Sequence, residues 1–159
     1  MKCVTYKFFV RHHPHPSALN AFLTDFGVKR VPIADLVNWL QQDQHPQLWE
    51  AWCLSLPNVP FVRAMLVAGA NVHACGDLAL CIAAHYGYVP IVKFLLAAGA
   101  DVHAYEGEPL HTASFRGRLK IVELLLAAGA NPYDDEALQS ALEYGHTRIA
   151  AVLRKAMAA

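Results

Sequence analysis

Three histidines near the N-terminus are the residues of this chain whose spacing most directly suggests chemistry. His12, His13 and His15 place three imidazole groups within four consecutive positions, and imidazole is a common metal ligand. A structural zinc site needs four ligands in tetrahedral reach, and no cysteine or carboxylate in this segment completes the set. Pro14 and Pro16 also favour an extended backbone. We therefore expect a polar loop, with metal binding as the least favoured alternative.

No other part of the sequence carries a complete catalytic motif. The triplet Asp25-Phe26-Gly27 matches the metal-binding triplet of protein kinases, but kinase activity also requires a glycine-rich loop and a His-Arg-Asp segment. The cysteines lack the Cys-x-x-Cys spacing of redox and zinc motifs: Cys3, Cys53, Cys75 and Cys81. We therefore expect no enzymatic activity and no cofactor, and cysteines that stay reduced.

The composition indicates a single, unusually apolar domain. Of 159 residues, 55% are hydrophobic and 16% are charged, and the formal net charge is zero. Without a basic surplus there is no electrostatic signature of nucleic-acid binding, and no apolar stretch approaches the roughly 20 residues that span a bilayer. Thr5, Lys7 and Arg11 interrupt the apolar N-terminus, which argues against a secretory signal. We expect a cytoplasmic protein that binds neither nucleic acid nor membrane.

A thirty-residue repeat determines the architecture that must position any binding residues. Gly69-Ala70, Gly99-Ala100 and Gly129-Ala130 each end an apolar run, and a fixed period of this size means stacked supersecondary units. The run from Ile121 to Leu126 is apolar nearly all round, so as a helix it must be buried on several sides. Such a helix suits a layer enclosed between two neighbouring repeats.

These features resemble the ankyrin repeat family over roughly Asn58 to Leu153. The family's usual period is about 33 residues, so this chain lacks some three residues per unit, between Gly99 and Leu110. The deficit predicts a tight turn in place of a long β-hairpin. The resemblance rests on recurring spacings: Pro109-Leu110-His111, Ala113, Gly117, Ile121-Val122, Leu124 to Leu126 and Gly129-Ala130-Asn131.

The resemblance implies an all-α, ankyrin-type solenoid of about four repeats with short turns. Each unit runs through a turn, a helix, a short loop and a second helix. Residues 1–47 are expected to form an N-terminal cap, with a short strand at residues 3–10 followed by two helices that resemble a decayed repeat. The repeats are expected at residues 48–77, 78–107, 108–136 and 137–159.

The resemblance also implies where a partner binds. Ankyrin proteins bind partners through turn residues and the exposed face of each first helix. Tyrosine and arginine dominate binding hot spots, and the acidic tips suit a partner with a basic rim. The alternative is that the tyrosines only pack over neighbouring helices, with Arg116 between them. The candidate residues are His85-Tyr86, Phe115-Arg116 and Glu143-Tyr144 at the helix ends, and Asp77, Tyr105, Glu106, Glu108 and Tyr133 in the turns.

The expected function is a non-catalytic module that binds another protein through the concave face of the stack. The short repeats look like those of ankyrin proteins from bacteria, phages and large viruses. That resemblance implies an effector or inhibitor that blocks a host protein, and an effector would be delivered to a host cell. The alternative is a structural unit that self-associates as a homodimer through one end of the stack.

Overall fold

The chain forms a helical stack. The computed structural model describes residues 51, 54–55, 59–133 and 135–158; the cap expected at residues 1–47 lies outside them, as does the histidine cluster. The described residues contain seven helices and no strand, which confirms the all-α class. The helices are α1 Val59–Val67, α2 Leu78–Tyr86, α3 Val89–Ala97, α4 Ala104–Phe115, α5 Leu119–Ala127, α6 Asp135–Glu143 and α7 Thr147–Met157.

The helices form two layers. The first helices, α2, α4 and α6, pack side by side, and the second helices, α1, α3, α5 and α7, form the other layer. The first helices approach closely because Ala83, Ala113 and Ala141 are small and fully buried between them. Leucines from both layers fill the space between: Leu80, Leu95, Leu110, Leu125 and Leu153 are buried. None of the described helices is long and apolar enough to cross a bilayer.

A glycine ends each of the first three second helices. Gly99 has a φ of 94°, and the following Ala100 N–H donates to the Leu95 carbonyl at 3.0 Å. This is the left-handed helix end that glycine adopts without steric cost. A Cβ at Gly99 would meet no atom within 4 Å, so the backbone conformation alone requires glycine here.

A left-handed turn lies in each of the first two connections between repeats and fits their short period. Cys75, Gly76 and Asp77 have φ values of 52°, 64° and 64°. Thirty residues later the same conformation recurs from Tyr105 to Gly107, with φ values of 49°, 62° and 98°. These three residues form a non-helical kink within α4, and the regular helix continues after Gly107. Left-handed backbone costs a non-glycine residue roughly 1–2 kcal/mol, so the surrounding packing must hold these turns. The tight turn predicted from the missing residues is present.

An Asx turn repeats at the start of each connection. In each case a side-chain oxygen accepts a hydrogen bond from the N–H two residues later, a common way to fix a turn. The pairs are Asn71 with His73, Asp101 with His103 and Asn131 with Tyr133, at 3.0, 2.9 and 3.1 Å.

Candidate functional site

The C-terminal ends of the first helices meet on one surface. Helix α2 ends at Tyr86, α4 at Phe115, just before Arg116, and α6 at Glu143, just before Tyr144. Because these helices lie side by side, their ends are neighbours. Tyr86 is 47% exposed and Tyr144 is 52% exposed, and Arg116 and Glu143 are also exposed. We call the surface formed by His85, Tyr86, Phe115, Arg116, Glu143 and Tyr144 the helix-end face.

Hydrogen bonds join the second and third repeats across this face. Arg116 Nη2 lies 3.0 Å from His85 Nε2, and since a guanidinium can only donate, the histidine nitrogen accepts. The proton of the neutral ring is then on Nδ1, which lies 3.3 Å from Thr112 Oγ1 and donates to it. The half-buried His85 therefore holds the exposed Arg116 in place.

Aromatic contacts extend the face in both directions. The rings of Phe115 and Tyr144 meet edge to face at 4.5 Å, and the Arg116 guanidinium lies 5.2 Å from the Phe115 ring centroid. On the other side, Tyr86 stacks against Tyr88 at 5.7 Å with nearly parallel rings. Phe115 is thus half-buried and packs against its neighbours, whereas Tyr86, Tyr144 and Arg116 have exposed side chains that a partner could contact.

The environment of His85 favours its neutral form. Burial lowers the pKa of His85 below its ordinary value of 6.5, and the positive charges of Arg116 and Arg118 add to this, while Glu108 opposes it. The unfolded chain therefore binds a proton at this site before the folded chain does. Stability should fall as the pH drops below about 7 through 6.5 and level off below the folded pKa.

We expect an NMR titration of His85 to give a midpoint below 6.5 in the folded protein. Arg116→Ala should move the midpoint upward, because it removes a neighbouring positive charge and the donor that occupies Nε2. A midpoint at or above 6.5 in the wild-type protein would contradict the arrangement described for this ring. Lys93→Ala, a change on the exposed side of α3, serves as the control that leaves the midpoint unchanged.

Two side chains contact glycines of the preceding repeat and so hold neighbouring repeats together next to the helix-end face. A Cβ at Gly87 would lie 2.9 Å from Arg118 Nε, and one at Gly117 would lie 2.7 Å from His146 Cε1. His146 Nε2 also lies 3.1 Å from the Phe115 carbonyl oxygen and donates to it. These glycines therefore make room for side chains that tie one repeat to the next.

The candidate turn residues differ in how far their side chains are exposed to solvent. The Tyr105 hydroxyl donates to the Cys75 carbonyl, and the Tyr133 hydroxyl donates to the Met157 carbonyl at 2.8 Å, so both tyrosines tie parts of the stack together while keeping exposed ring area. Glu106 is exposed. Glu108 is half-buried, with Oε2 3.5 Å from His111 Nδ1.

Asp77 lies inside the turn and does not present its carboxylate to a partner. It is 5% exposed, and its Oδ1 accepts the Asp101 N–H at 2.9 Å and lies 3.0 Å from His73 Nδ1. The sequence placed it among the partner-binding residues because turn aspartates are usually solvated. Here the left-handed conformation points it at the next turn, so it ties adjacent repeats.

Sequence reasoning omitted Tyr88 and Thr112, both of which support the face. Thr112 lies on α4 three residues before Phe115, where a repeat pattern predicts core, and it is buried. Tyr88 directly follows Gly87, outside the helix-end pair. The available signal was the repeat itself. Tyr88 occupies the position that Arg118 occupies thirty residues later, and Arg118 lies against Gly87 of the neighbouring repeat.

The described residues offer little for catalysis. Cys75 and Cys81 are buried cysteines outside any disulfide, and burial, with the negative charges of Glu108 and Asp77, raises the pKa of Cys81 well above its ordinary value. A buried, protonated thiol is a poor nucleophile. In this part of the chain no group of three or more His, Cys, Asp or Glu side chains could hold a metal ion.

A family comparison agrees with the repeat geometry. The family model described as ankyrin repeats (3 copies) matches residues 48–135, more than half of the chain. This chain belongs to the ankyrin repeat family. Ankyrin repeats are generally protein–protein interaction modules, and the family is typically non-catalytic. No curated protein matches the chain in a sequence comparison.

Proposed function

We propose that this ankyrin protein binds another protein through the concave side of its stack, using the helix-end face. The observation that carries the proposal is a series of contacts: Tyr86 meets the His85 ring edge to face at 4.9 Å, and the series continues through Arg116 to Phe115 and Tyr144. It places exposed tyrosine and arginine side chains side by side and holds them in fixed positions. Large, pre-ordered aromatic area combined with hydrogen-bond donors is typical of binding hot spots.

The partner is expected to meet a mixed electrostatic surface. Arg116 offers donors at the centre of the face, and the exposed Glu143 adds a negative charge to it; Glu106 and Glu108 add negative charge at the N-terminal end of α4, outside the face. A partner with a basic rim and an acceptor opposite Arg116 would match this arrangement. We propose that the protein acts as an effector or inhibitor that blocks a host protein. This role is suggested by the resemblance of its short repeats to those of ankyrin proteins from bacteria, phages and large viruses.

Affinity capture from source-cell lysate tests the proposal. The bait is compared with a variant carrying Tyr86→Ala, Arg116→Ala and Tyr144→Ala, which leaves the half-buried Phe115 in place. The matched control changes exposed residues of the second helices, Val67→Ala, Lys93→Ala and Arg148→Ala. A protein retained by the wild type and the control but not by the helix-end variant supports the proposal. Equal retention by all three folded baits would contradict it.

Self-association is the second candidate, and one residue favours it. Leu142 on α6 is 48% exposed, whereas Ser114 and Ala84, its equivalents on α4 and α2, are fully buried. No first helix among the described residues follows α6 to cover Leu142. A second copy could cover it, and Leu142→Glu would then convert a dimer to a monomer in size-exclusion chromatography with light scattering. A wild-type monomer at high concentration would exclude this candidate.

A further inference from the structure

An open pocket of about 310 Å³ lies between the second left-handed turn and the connection that follows α5. The pocket is lined by polar and apolar groups from both connections, and it is separate from the helix-end face. Its lining includes His103, Glu106, Gly107 and Asn131.

The same place in the preceding repeat is filled by a carboxylate. Subtracting thirty from the pocket residues His103, Gly107 and Asn131 gives His73, Asp77 and Asp101. There the Asp77 carboxylate accepts the Asp101 N–H at 2.9 Å and lies 3.0 Å from the His73 ring. Gly107 has no side chain to do the same.

The donors remain where the carboxylate is missing. Among the described residues, the Asn131 N–H makes no backbone hydrogen bond, and no described side chain accepts a hydrogen bond from it as Asp77 does from Asp101. The Asn131 side chain itself fixes the turn by accepting the Tyr133 N–H at 3.1 Å, which orients this backbone as Asp101 is oriented one repeat earlier.

We propose that this pocket binds a carboxylate, supplied by an aspartate or glutamate side chain of a partner protein. The carboxylate would accept the Asn131 N–H and contact the His103 ring, as Asp77 does within the chain. Charge-assisted hydrogen bonds of this kind are the stronger ones in proteins. Glu106 on the pocket wall opposes an anion, so Glu106→Gln should tighten binding. The assignment of the carboxylate to a partner protein rests on the proposed protein-binding function. The existence of a carboxylate site in this pocket does not.

Titration of the isolated protein with acetate, monitored by amide NMR, tests the site. At constant ionic strength, acetate should produce a saturable shift of the Asn131 amide that chloride does not, while the Asp101 amide, already bonded to Asp77, stays unchanged. Gly107→Asp should weaken the acetate response at least about tenfold, because the new carboxylate fills the pocket. No saturable shift, or the same shift in Gly107→Asp, would overturn the proposal.

Two further comparisons keep the test decisive if Gly107→Asp folds poorly. Asp77→Gly should open an equivalent pocket one repeat earlier and make the Asp101 amide responsive to acetate. Gly107→Asp should also melt at a higher temperature than Gly107→Ala and Gly107→Asn. All three side chains must adopt the same positive φ, but only aspartate supplies a negative charge to the pocket. An unresponsive Asp101 in folded Asp77→Gly would count against the site.

The partner's contribution is tested separately. A captured protein should bind Gly107→Asp at least about tenfold more weakly than wild type; undiminished affinity would overturn the assignment of the carboxylate to the partner. If acetate fails to bind but a protein is captured through the helix-end face, this inference fails and the proposed function stands. If acetate binds and no protein is captured, the proposed function fails while the carboxylate site stands.

Discussion

Replacing Gly117 with alanine is expected to destabilise the protein by about 2–4 kcal/mol. The backbone contributes part of this cost, because Gly117 has a φ of 70°. The larger part comes from the His146 ring, since a new Cβ would lie 2.7 Å from Cε1 and 3.0 Å from each ring nitrogen. The ring must move, and it then loses its hydrogen bond to the Phe115 carbonyl. Urea denaturation measures the change in the free energy of unfolding.

Gly145 supplies the matched control for this change. It has almost the same φ, 72°, but a Cβ there meets nothing within 4 Å. Gly145→Ala should therefore cost only the backbone contribution, about 1 kcal/mol. Adding His146→Ala to Gly117→Ala should recover the clash energy, which a double-mutant cycle isolates. Equal costs at the two glycines would show that the His146 ring does not pack as described.

Replacing Asp77 with alanine is expected to cost about 2–3 kcal/mol of unfolding free energy. The change leaves the Asp101 N–H and the His73 ring without their shared acceptor in a position that is 5% exposed. It also places alanine at a φ of 64°, which aspartate tolerates better. Since each repeat contacts only its neighbours, the loss should loosen the contact between these two turns.

Asp77→Asn separates the hydrogen bond from the charge. It keeps an oxygen acceptor and a residue suited to the left-handed conformation, so we expect it to cost less than about 1 kcal/mol. Thermal denaturation of the two variants side by side gives the comparison. An alanine variant as stable as the asparagine variant would mean that the carboxylate does not tie these repeats together.

The architecture followed from the sequence because its signals are local and repeated. The helix-ending glycines and the apolar runs before them predicted the second helices, and the missing residues predicted a tight turn. The left-handed form of that turn could not be predicted, because only Gly76 and Gly107 in the two turns favour it and they occupy different positions. Packing between neighbouring repeats holds Cys75 and Tyr105 in the same conformation.

The candidate site was only partly predictable. The pairs before each helix-ending glycine identified the exposed Tyr86, Arg116 and Tyr144, because helix ends recur in register. Which members pack inward depends on contacts between repeats, as with Phe115 against Tyr144. The role of Asp77 depends on the path of the next turn. No pattern within one repeat contains that information.

The affinity of a captured partner for matched variants tests the central claim most directly. By calorimetry, the variant Tyr86→Ala, Arg116→Ala and Tyr144→Ala should bind at least about thirtyfold more weakly than wild type, while its melting temperature changes little. The control variant Val67→Ala, Lys93→Ala and Arg148→Ala should bind as wild type does. Undiminished binding by the folded helix-end variant, or loss of binding in the control, would show that the partner uses another surface.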